Sequence, residues 1–146
     1  MPVARDDHTM NSYSGGCHCG KVRYSCTINP EFTFFCHCND CQKTTGSPFS
    51  VELMISEGGF EISGTTNTYV VTGDSGKSVY RHFCPECGSG IYLVGEADPG
   101  WIFLKAGTLD DGSWVEPNMH IYTAAKQPWM HIGDSLPQSE KAPEET

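Results

Sequence analysis

Seven of the eight cysteines in this 146-residue chain fall into three short motifs, and this clustering constrains the fold more than any other feature. The motifs are Cys17-x-Cys19, Cys36-x-Cys38-x-x-Cys41 and Cys84-x-x-Cys87. Thiols spaced this closely usually bind metal in a reducing compartment and form disulfides in secreted proteins. The first residues contain no apolar run of the secretory type. We therefore expect a cytoplasmic protein whose clustered cysteines bind metal.

The charge of the chain narrows the choice of partners. Its formal net charge is −9 at pH 7, whereas binding to nucleic acid or to an anionic membrane surface requires a basic face. The sequence also lacks a run of about 18 apolar residues that would span a bilayer. We therefore expect neither nucleic acid nor a membrane as a partner.

The periodicity of the central part of the chain is that of β-strands. Apolar and polar residues alternate, between turn signals rich in Gly and Asp, in six segments: 22–26, 49–55, 69–72, 78–83, 90–94 and 101–106. At most a single helical turn is expected, around 39–43. The predicted fold class is therefore all-β.

The composition of the two ends predicts the domain boundaries. Residues 1–12 are polar and are expected to form a flexible N-terminus. Residues 134–146 are rich in Pro and Glu and are expected to form a disordered acidic tail. A single zinc-binding domain is predicted between them, over 13–133.

The first and third motifs each supply half of a four-thiol site. Residues i and i+2 of an extended chain point to the same side, so Cys17 and Cys19 can both reach one ion. Cys84 and Cys87 have a proline between them and a glycine after them. This pattern is typical of the tight loop of a structural zinc site. Each half-site needs two more ligands.

The second motif places Cys36, Cys38 and Cys41 within six residues. Three thiolates leave one position of a tetrahedral zinc open, which is the arrangement of a reactive site rather than of a structural one. His37 or Asp40 would close the site if either were a fourth ligand. Adjacent residues of an extended segment point to opposite faces, however, so His37 is expected to face away from the cysteines on either side of it.

Two arrangements of the motifs are compatible with this spacing. In one, the first and third motifs form a closed four-thiolate site and the second motif holds a separate open zinc, giving two zinc ions per chain. In the other, Cys38 and Cys41 join the third motif in one site and leave the first motif and Cys36 without a role. Cys26 belongs to no motif and is expected to be a small buried apolar side chain.

The three motifs and their surroundings resemble the glutathione-dependent formaldehyde-activating enzyme family, which also includes centromere protein V. The matching segments are 16–20, 36–43, 46–49, 81–88 and 126–129. The resemblance implies a β-tent fold, in which small antiparallel sheets are clamped by a structural zinc. It assigns that zinc to Cys17, Cys19, Cys84 and Cys87, and a second, catalytic zinc to Cys36, Cys38 and Cys41.

The resemblance also implies an activity. The family's characterised reaction, a carbon–sulfur lyase assignment, is the condensation of formaldehyde with glutathione to S-hydroxymethylglutathione. The donor set agrees, because three thiolates make zinc a poor activator of water and suit a further sulfur ligand. We therefore expect a zinc-dependent lyase acting on a small thiol adduct, with glutathione as the thiol. The alternatives are a non-enzymatic zinc- or thiol-binding module and a methionine sulfoxide reductase-like redox enzyme. The redox enzyme would need the one-zinc arrangement and a free reactive Cys26.

Several side chains near the motifs are candidates for supporting roles. Lys43 and Arg81 lie beside zinc motifs and could bind substrate carboxylates. His37, expected to be exposed in its loop, and Asp40 are candidates for proton transfer. Two further sets are expected to be structural: Trp101, Trp114 and Trp129 in the core, and His120 and His131 in strands.

Overall fold

The structure is a computed structural model that describes residues 12–143. The predicted flexible N-terminus, apart from its last residue, and the last three residues of the predicted tail lie outside the described residues. Within the described range there are ten β-strands. They are β1 Tyr13–Gly16, β2 Arg23–Cys26, β3 Phe32–Cys36, β4 Ser50–Ser56, β5 Phe60–Ser63, β6 Asn67–Thr72, β7 Ser78–Phe83, β8 Gly90–Gly95, β9 Trp101–Lys105 and β10 Met119–Ile121.

The same residues contain one α-helix, α1, which spans Asn39–Thr45. Three short 3₁₀ turns span Glu57–Gly59, Ala106–Thr108 and Thr123–Ala125. No helix in the described range is long and apolar enough to cross a membrane.

The strands form two sheets. The smaller has the order β1-β2-β5 and the larger the order β10-β3-β4-β9-β8-β7-β6. Every pair is antiparallel except β10 with β3, which is parallel. The predicted all-β class is therefore confirmed, and the six predicted segments correspond to β2, β4, β6, β7, β8 and β9. The periodicity does not predict β1, β3, β5 or β10, which are three to five residues long.

The larger of two buried clusters packs the small sheet against the large one. Tyr24 and Cys26 of β2 belong to one buried cluster with Leu53 of β4 and Leu104 of β9. Leu53 and Leu104 are fully buried, and truncation of such a leucine to alanine costs about 2–5 kcal/mol. Cys26 is fully buried as well, and burial raises the pKa of its thiol to about 11. It is therefore a structural side chain and not the reactive thiol that a redox enzyme would need.

Helix α1 begins at the second cysteine motif. Cys38 caps it, because its Sγ accepts a hydrogen bond from the backbone N–H of Cys41 at 3.2 Å. Gly46 follows the last turn with a φ of 68°, a left-handed conformation that glycine adopts without steric cost. The short helix thus fixes Cys41 one turn from Cys38.

The last described residues lie against β10. His120 donates its backbone N–H to the carbonyl of Pro137 and accepts a hydrogen bond from the N–H of Ser139. These bonds attach Gln138 to the edge of the large sheet as a parallel bridge. The composition predicts a disordered tail from Asp134, but the described part of the tail is held in place by backbone hydrogen bonds, which composition does not reveal.

Candidate metal centres and the adjoining cavity

The first group of thiols comes from the first and third motifs. The sulfur atoms of Cys17, Cys19, Cys84 and Cys87 all lie within 4.8 Å of one another. The Sγ of Cys19 is 3.6 Å from that of Cys17 and 3.8 Å from that of Cys84. Four sulfur atoms arranged tetrahedrally at about 2.3 Å from zinc lie about 3.8 Å apart. The group therefore has the donors and the spacing of a structural zinc site.

Hydrogen bonds from the surrounding loops favour the thiolate form of two members of this four-cysteine cluster, Cys17 and Cys87. The backbone N–H of Val22 donates to the Sγ of Cys17 at 3.3 Å. The Ser89 hydroxyl lies 3.2 Å from the Sγ of Cys87, and this contact lowers the pKa of Cys87 to about 5. The first two cysteines follow β1 of the small sheet and the last two follow β7 of the large sheet. The cluster therefore joins the two sheets.

The second group, the three-cysteine cluster, is local. The sulfur atoms of Cys36, Cys38 and Cys41 lie within 4.8 Å of one another and take no ligand atom from His37 or Asp40. Cys36 ends β3, Cys38 caps α1 and Cys41 lies in its first turn. Cys36 and Cys41 are buried, whereas Cys38 is only partly buried. Among the described residues, the second motif does not group with the third, so the one-site arrangement does not occur.

The three-cysteine cluster fits a divalent metal on electrostatic grounds. Hydrogen bonds from Cys36 and Cys41 lower the pKa of Cys38 to about 2, while the bond to Cys38 raises the pKa of Cys36. The three sulfur atoms thus share the charge of one thiolate. Ionisation of a second thiol would place two negative charges side by side. A divalent cation removes this obstacle, and three thiolates are a soft donor set that suits zinc. Three protein ligands leave a fourth position for a substrate or another ligand.

His37, between two of these cysteines, is fully buried and not exposed as predicted. Its Nε2 lies 2.9 Å from the Nδ1 of His120, and the Nε2 of His120 lies 3.0 Å from Oδ2 of Asp134. The Asp134 carboxylate accepts from Nε2–H of His120, and in a neutral His120 ring Nδ1 then accepts from Nε2–H of His37. Burial lowers the pKa of His37 to about 4, so its ring is neutral at pH 7. This hydrogen-bonded chain links the second motif to the tail.

A buried ion pair, which sequence reasoning misses, lies beside the three-cysteine cluster. The Nζ of Lys105 is 2.6 Å from Oε2 of Glu52 and 2.9 Å from the Oγ of Ser50. The same carboxylate oxygen lies 3.7 Å from the Sγ of Cys41. The Glu52 side chain is 4% exposed and that of Lys105 is 13% exposed. Because desolvation offsets much of the attraction in such a pair, its contribution to stability alone is a weak reason for its presence.

A cavity of about 690 Å³ adjoins this pair and is bounded by α1 and strands β4, β6, β7, β8 and β9. Thr44, Thr45, Arg81 and Lys105 line it, and its wall contains no Asp or Glu from the described residues. Glu52 behind the wall balances the charge of Lys105, so the net positive charge of the wall comes from Arg81. This charge favours an anionic ligand, although the chain as a whole carries a formal charge of −9. The three cysteines are not part of the wall, but Arg81 is close enough to Cys38 for its charge to contribute to the lowered pKa of that thiol.

Arg81 is placed in the cavity wall at a cost to the fold. Its Nη1 donates to the Oγ1 of Thr44 at 3.4 Å, while its Nε is buried with no hydrogen-bond partner among the described residues. An unsatisfied buried donor costs about 1–3 kcal/mol. This cost favours a binding role over a structural one. Lys43, the other cation that the sequence suggests, is exposed and lies outside the wall.

The predictions for the tryptophans and for the two strand histidines agree with the structure in part. Trp101 and Trp114 are partly buried, and Trp114 packs against the core. The prediction that Trp129 is a core residue is wrong, because its side chain is 65% exposed. His131 is also exposed and lies outside any strand, whereas His120 lies in β10. Residues 126–133 form no strand in the structure, and both side chains lie in this irregular segment.

The fold and the two clusters define a class: an all-β protein with one four-cysteine and one three-cysteine candidate metal centre. A family model described as glutathione-dependent formaldehyde-activating enzyme matches residues 12–125. The chain therefore belongs to the glutathione-dependent formaldehyde-activating enzyme family, and the resemblance identified from the motifs is confirmed.

Individual relatives point to the same family. A Halomonas elongata protein, provisionally named a glutathione-dependent formaldehyde-activating enzyme, is 29% identical over 81% of this chain and 79% of its own length. A Penicillium rubens protein of the same provisional name is 27% identical over 73% of this chain, and the match spans 59% of that protein. The crystal structure of a Rhodobacter sphaeroides protein is similar with a TM-score of 0.54 at 19% identity, covering 71% of this chain and 91% of the other. That last similarity concerns the fold alone.

Proposed function

We propose that this protein is a zinc-dependent carbon–sulfur lyase that interconverts glutathione plus formaldehyde with S-hydroxymethylglutathione. The observation that carries the proposal is a cationic cavity placed beside a cluster of three thiols. The cluster offers a soft site for a substrate sulfur, and the cavity offers charges for the carboxylates of the same substrate. The provisional names of the Halomonas elongata and Penicillium rubens relatives support the choice of thiol and aldehyde.

The cavity suits a thiol that carries carboxylates. Its volume of about 690 Å³ falls within the range of about 300–1,000 Å³ that is usual for small-molecule sites. Glutathione has two carboxylates, and the planar guanidinium of Arg81 can bind one of them through two parallel hydrogen bonds. Holding the substrate in this way turns an encounter of two free molecules into a reaction between positioned groups.

The chemistry needs a thiolate and an aldehyde and no further reactant. Zinc bound by Cys36, Cys38 and Cys41 would supply a soft Lewis acid that stabilises a substrate thiol in its deprotonated form. The thiolate sulfur attacks the carbonyl carbon, the carbon–sulfur bond forms, and the carbonyl electron pair moves to oxygen. The oxygen takes up one proton, which balances the proton that the thiol released. The reverse sequence cleaves the carbon–sulfur bond and is the lyase direction.

A second candidate is a metal- or thiol-binding module without catalysis. It is favoured by the burial of Cys36 and Cys41, which are 5% and 2% exposed, and by the absence of all three cysteines from the cavity wall. Such a module would bind zinc or a thiol at the same cluster but would not change the rate of any reaction. The two candidates therefore differ in turnover and not in binding.

The deciding measurement is the rate of exchange between glutathione, formaldehyde and their adduct at equilibrium, by NMR, with zinc-loaded protein. Because the two compounds condense without a catalyst, only an exchange rate above the uncatalysed background is informative. We expect a clear acceleration that Cys36→Ala abolishes and that Cys26→Ala, a matched change outside both clusters, retains. No acceleration at near-stoichiometric protein would overturn the proposal and favour the binding module.

A further inference from the structure

We propose that Lys105 is a catalytic residue that binds the negatively charged oxygen formed when the carbon–sulfur bond is made. This inference rests on the proposed function and assigns a role at the same site to a residue outside the three cysteine motifs. It is carried by two observations: the Lys105 ammonium group is fixed by two neighbours, and Lys105 is one of the residues that line the cavity.

The ammonium group is held in one place. Lys105 of β9 stands opposite Glu52 of β4 in the large sheet. Its Nζ lies 2.6 Å from the Glu52 carboxylate and 2.9 Å from the Ser50 hydroxyl, and that hydroxyl lies 3.0 Å from the same carboxylate. A lysine side chain is otherwise flexible, so this triangle removes conformational freedom before a substrate arrives.

One donor of this ammonium group remains for a ligand. A lysine ammonium has three N–H donors. Among the described residues, the hydrogen bonds of Lys105 go to Glu52 and Ser50 alone. Since Lys105 also lines the cavity, the third N–H is available to an oxygen bound there. A fixed donor of this kind needs no reorganisation when charge develops on that oxygen.

The network is also linked to the sulfur chemistry. Oxygen Oε2 of Glu52, which accepts from Lys105, lies 3.7 Å from the Sγ of Cys41 in the three-cysteine cluster. When a substrate thiolate attacks the aldehyde, negative charge leaves sulfur and arrives on oxygen. A cation held next to that oxygen stabilises the charge as it develops. The oxygen then takes a proton from water, and Lys105 stays an ammonium throughout.

A binding experiment tests this role without relying on turnover. Mercaptoacetate carries a thiol and a negative oxygen, one bond further from sulfur than in the adduct, and 2-mercaptoacetamide is its neutral counterpart. The affinities of both compounds for the zinc-loaded protein are measured by calorimetry. The preference for the anion is the affinity for mercaptoacetate divided by the affinity for 2-mercaptoacetamide. Lys105→Met should lower this ratio about tenfold, the effect expected for a hydrogen bond to a charged group. Lys77→Met, an exposed lysine outside the cavity wall, should leave the ratio unchanged.

A second variant separates loss of the ammonium group from misfolding. Lys105→Met alone leaves Glu52 buried without its cation, so the double variant Lys105→Met with Glu52→Gln removes both charges. It should retain the circular dichroism and zinc content of the wild type and show the same lowered ratio. An unchanged ratio in a folded Lys105→Met or double variant would overturn the inference alone. The inference would also be overturned if Arg81→Met lost the preference for the anion while Lys105→Met retained it. Failure of the wild type to bind either probe would overturn the proposed function itself, and the inference with it.

Discussion

The two cysteine clusters are built from the same side chain, and they differ in where their members come from. Cys19 and Cys84 are separated by 65 residues, and their cluster joins the small sheet to the large one. The three-cysteine cluster comes from six consecutive residues and closes no long loop. A metal bound at the first therefore contributes to the folding free energy of the whole domain. A metal bound at the second holds a single turn and leaves its remaining position for chemistry.

The strongest test of this contrast is the change Cys84→Ser. Structural zinc contributes about 10 kcal/mol or more in small zinc domains, which is comparable with the whole free energy of unfolding of an ordinary domain. We therefore expect the variant to lose its cooperative thermal transition, as measured by circular dichroism. Cys26→Ala is the matched control and should retain both the transition and two zinc ions. A Cys84→Ser protein that unfolds at the wild-type temperature would show that the four-cysteine cluster does not hold the sheets together.

The opposite result is expected for Cys38→Ala. The variant should contain one zinc ion instead of two by elemental analysis and should lose the acceleration of adduct exchange. Its stability should change little, because loss of the helix cap costs about 1 kcal/mol, or about 2–4 °C in melting temperature for a domain of this size. Asn39→Ala, an exposed change at the next residue, should keep both ions. Global unfolding of Cys38→Ala would remove the distinction between the two clusters.

A smaller effect is expected at the cavity. Arg81→Met should raise KM for glutathione about tenfold and change kcat less, because a carboxylate contact made in both the ground and transition states is lost. Steady-state kinetics with 2-mercaptoethanol, which has no carboxylate, should show little change. Arg23→Met provides the control, since Arg23 pairs with Asp110 outside the cavity. Equal effects on both thiols would mean that Arg81 acts on the cluster and does not bind carboxylates.

An effect no larger than the one at the cavity is predicted for the hydrogen-bonded chain that ends at Asp134. Asp134→Ala removes the acceptor that fixes the His120 ring and, through it, the ring of His37 between two cysteines. Changes in such outer contacts typically cost about 10–100-fold in metal affinity, and we expect the low end of that range because His37 is not itself a ligand. Competition with a chelator measures both sites of the same chain, so the four-cysteine cluster serves as the internal reference. Asp98→Ala is the exposed control. Weakening of both sites to the same degree would contradict a link to the three-cysteine cluster.

Most of the site features that sequence reasoning predicts lie in the three cysteine motifs. Most of the features that it misses depend on which strands pair with each other. The cysteine motifs carry the resemblance that identifies the family, and their spacing predicts metal-binding thiols, because ligand geometry is encoded in neighbouring residues. The Glu52–Lys105 pair depends on the register of β4 and β9, which brings together residues 53 positions apart. A polar residue of an alternating strand ordinarily faces solvent, but the face of β4 that carries Glu52 is also covered. No local pattern marks such a residue as buried.

The same reasoning explains the error at His37. Its position in a cysteine loop predicts an exposed side chain, since loops usually lie at the surface. Strand β10 pairs in parallel with β3 and brings His120 next to His37, 83 residues away in the chain. A three-residue strand has no recognisable period, so neither the pairing nor the burial of His37 can be derived from the sequence.

The bridge between Gln138 and β10 also bears on how the protein behaves at high concentration. An uncovered sheet edge presents backbone N–H and C=O groups that can recruit a strand from another molecule. At one edge of the large sheet the tail occupies these groups. At the other edge β6 is uncovered by any described strand and exposes Tyr69 and Val70. Removing the chain from residue 136 onward would therefore leave two edges open instead of one, and a shortened protein would be able to assemble into extended aggregates through both.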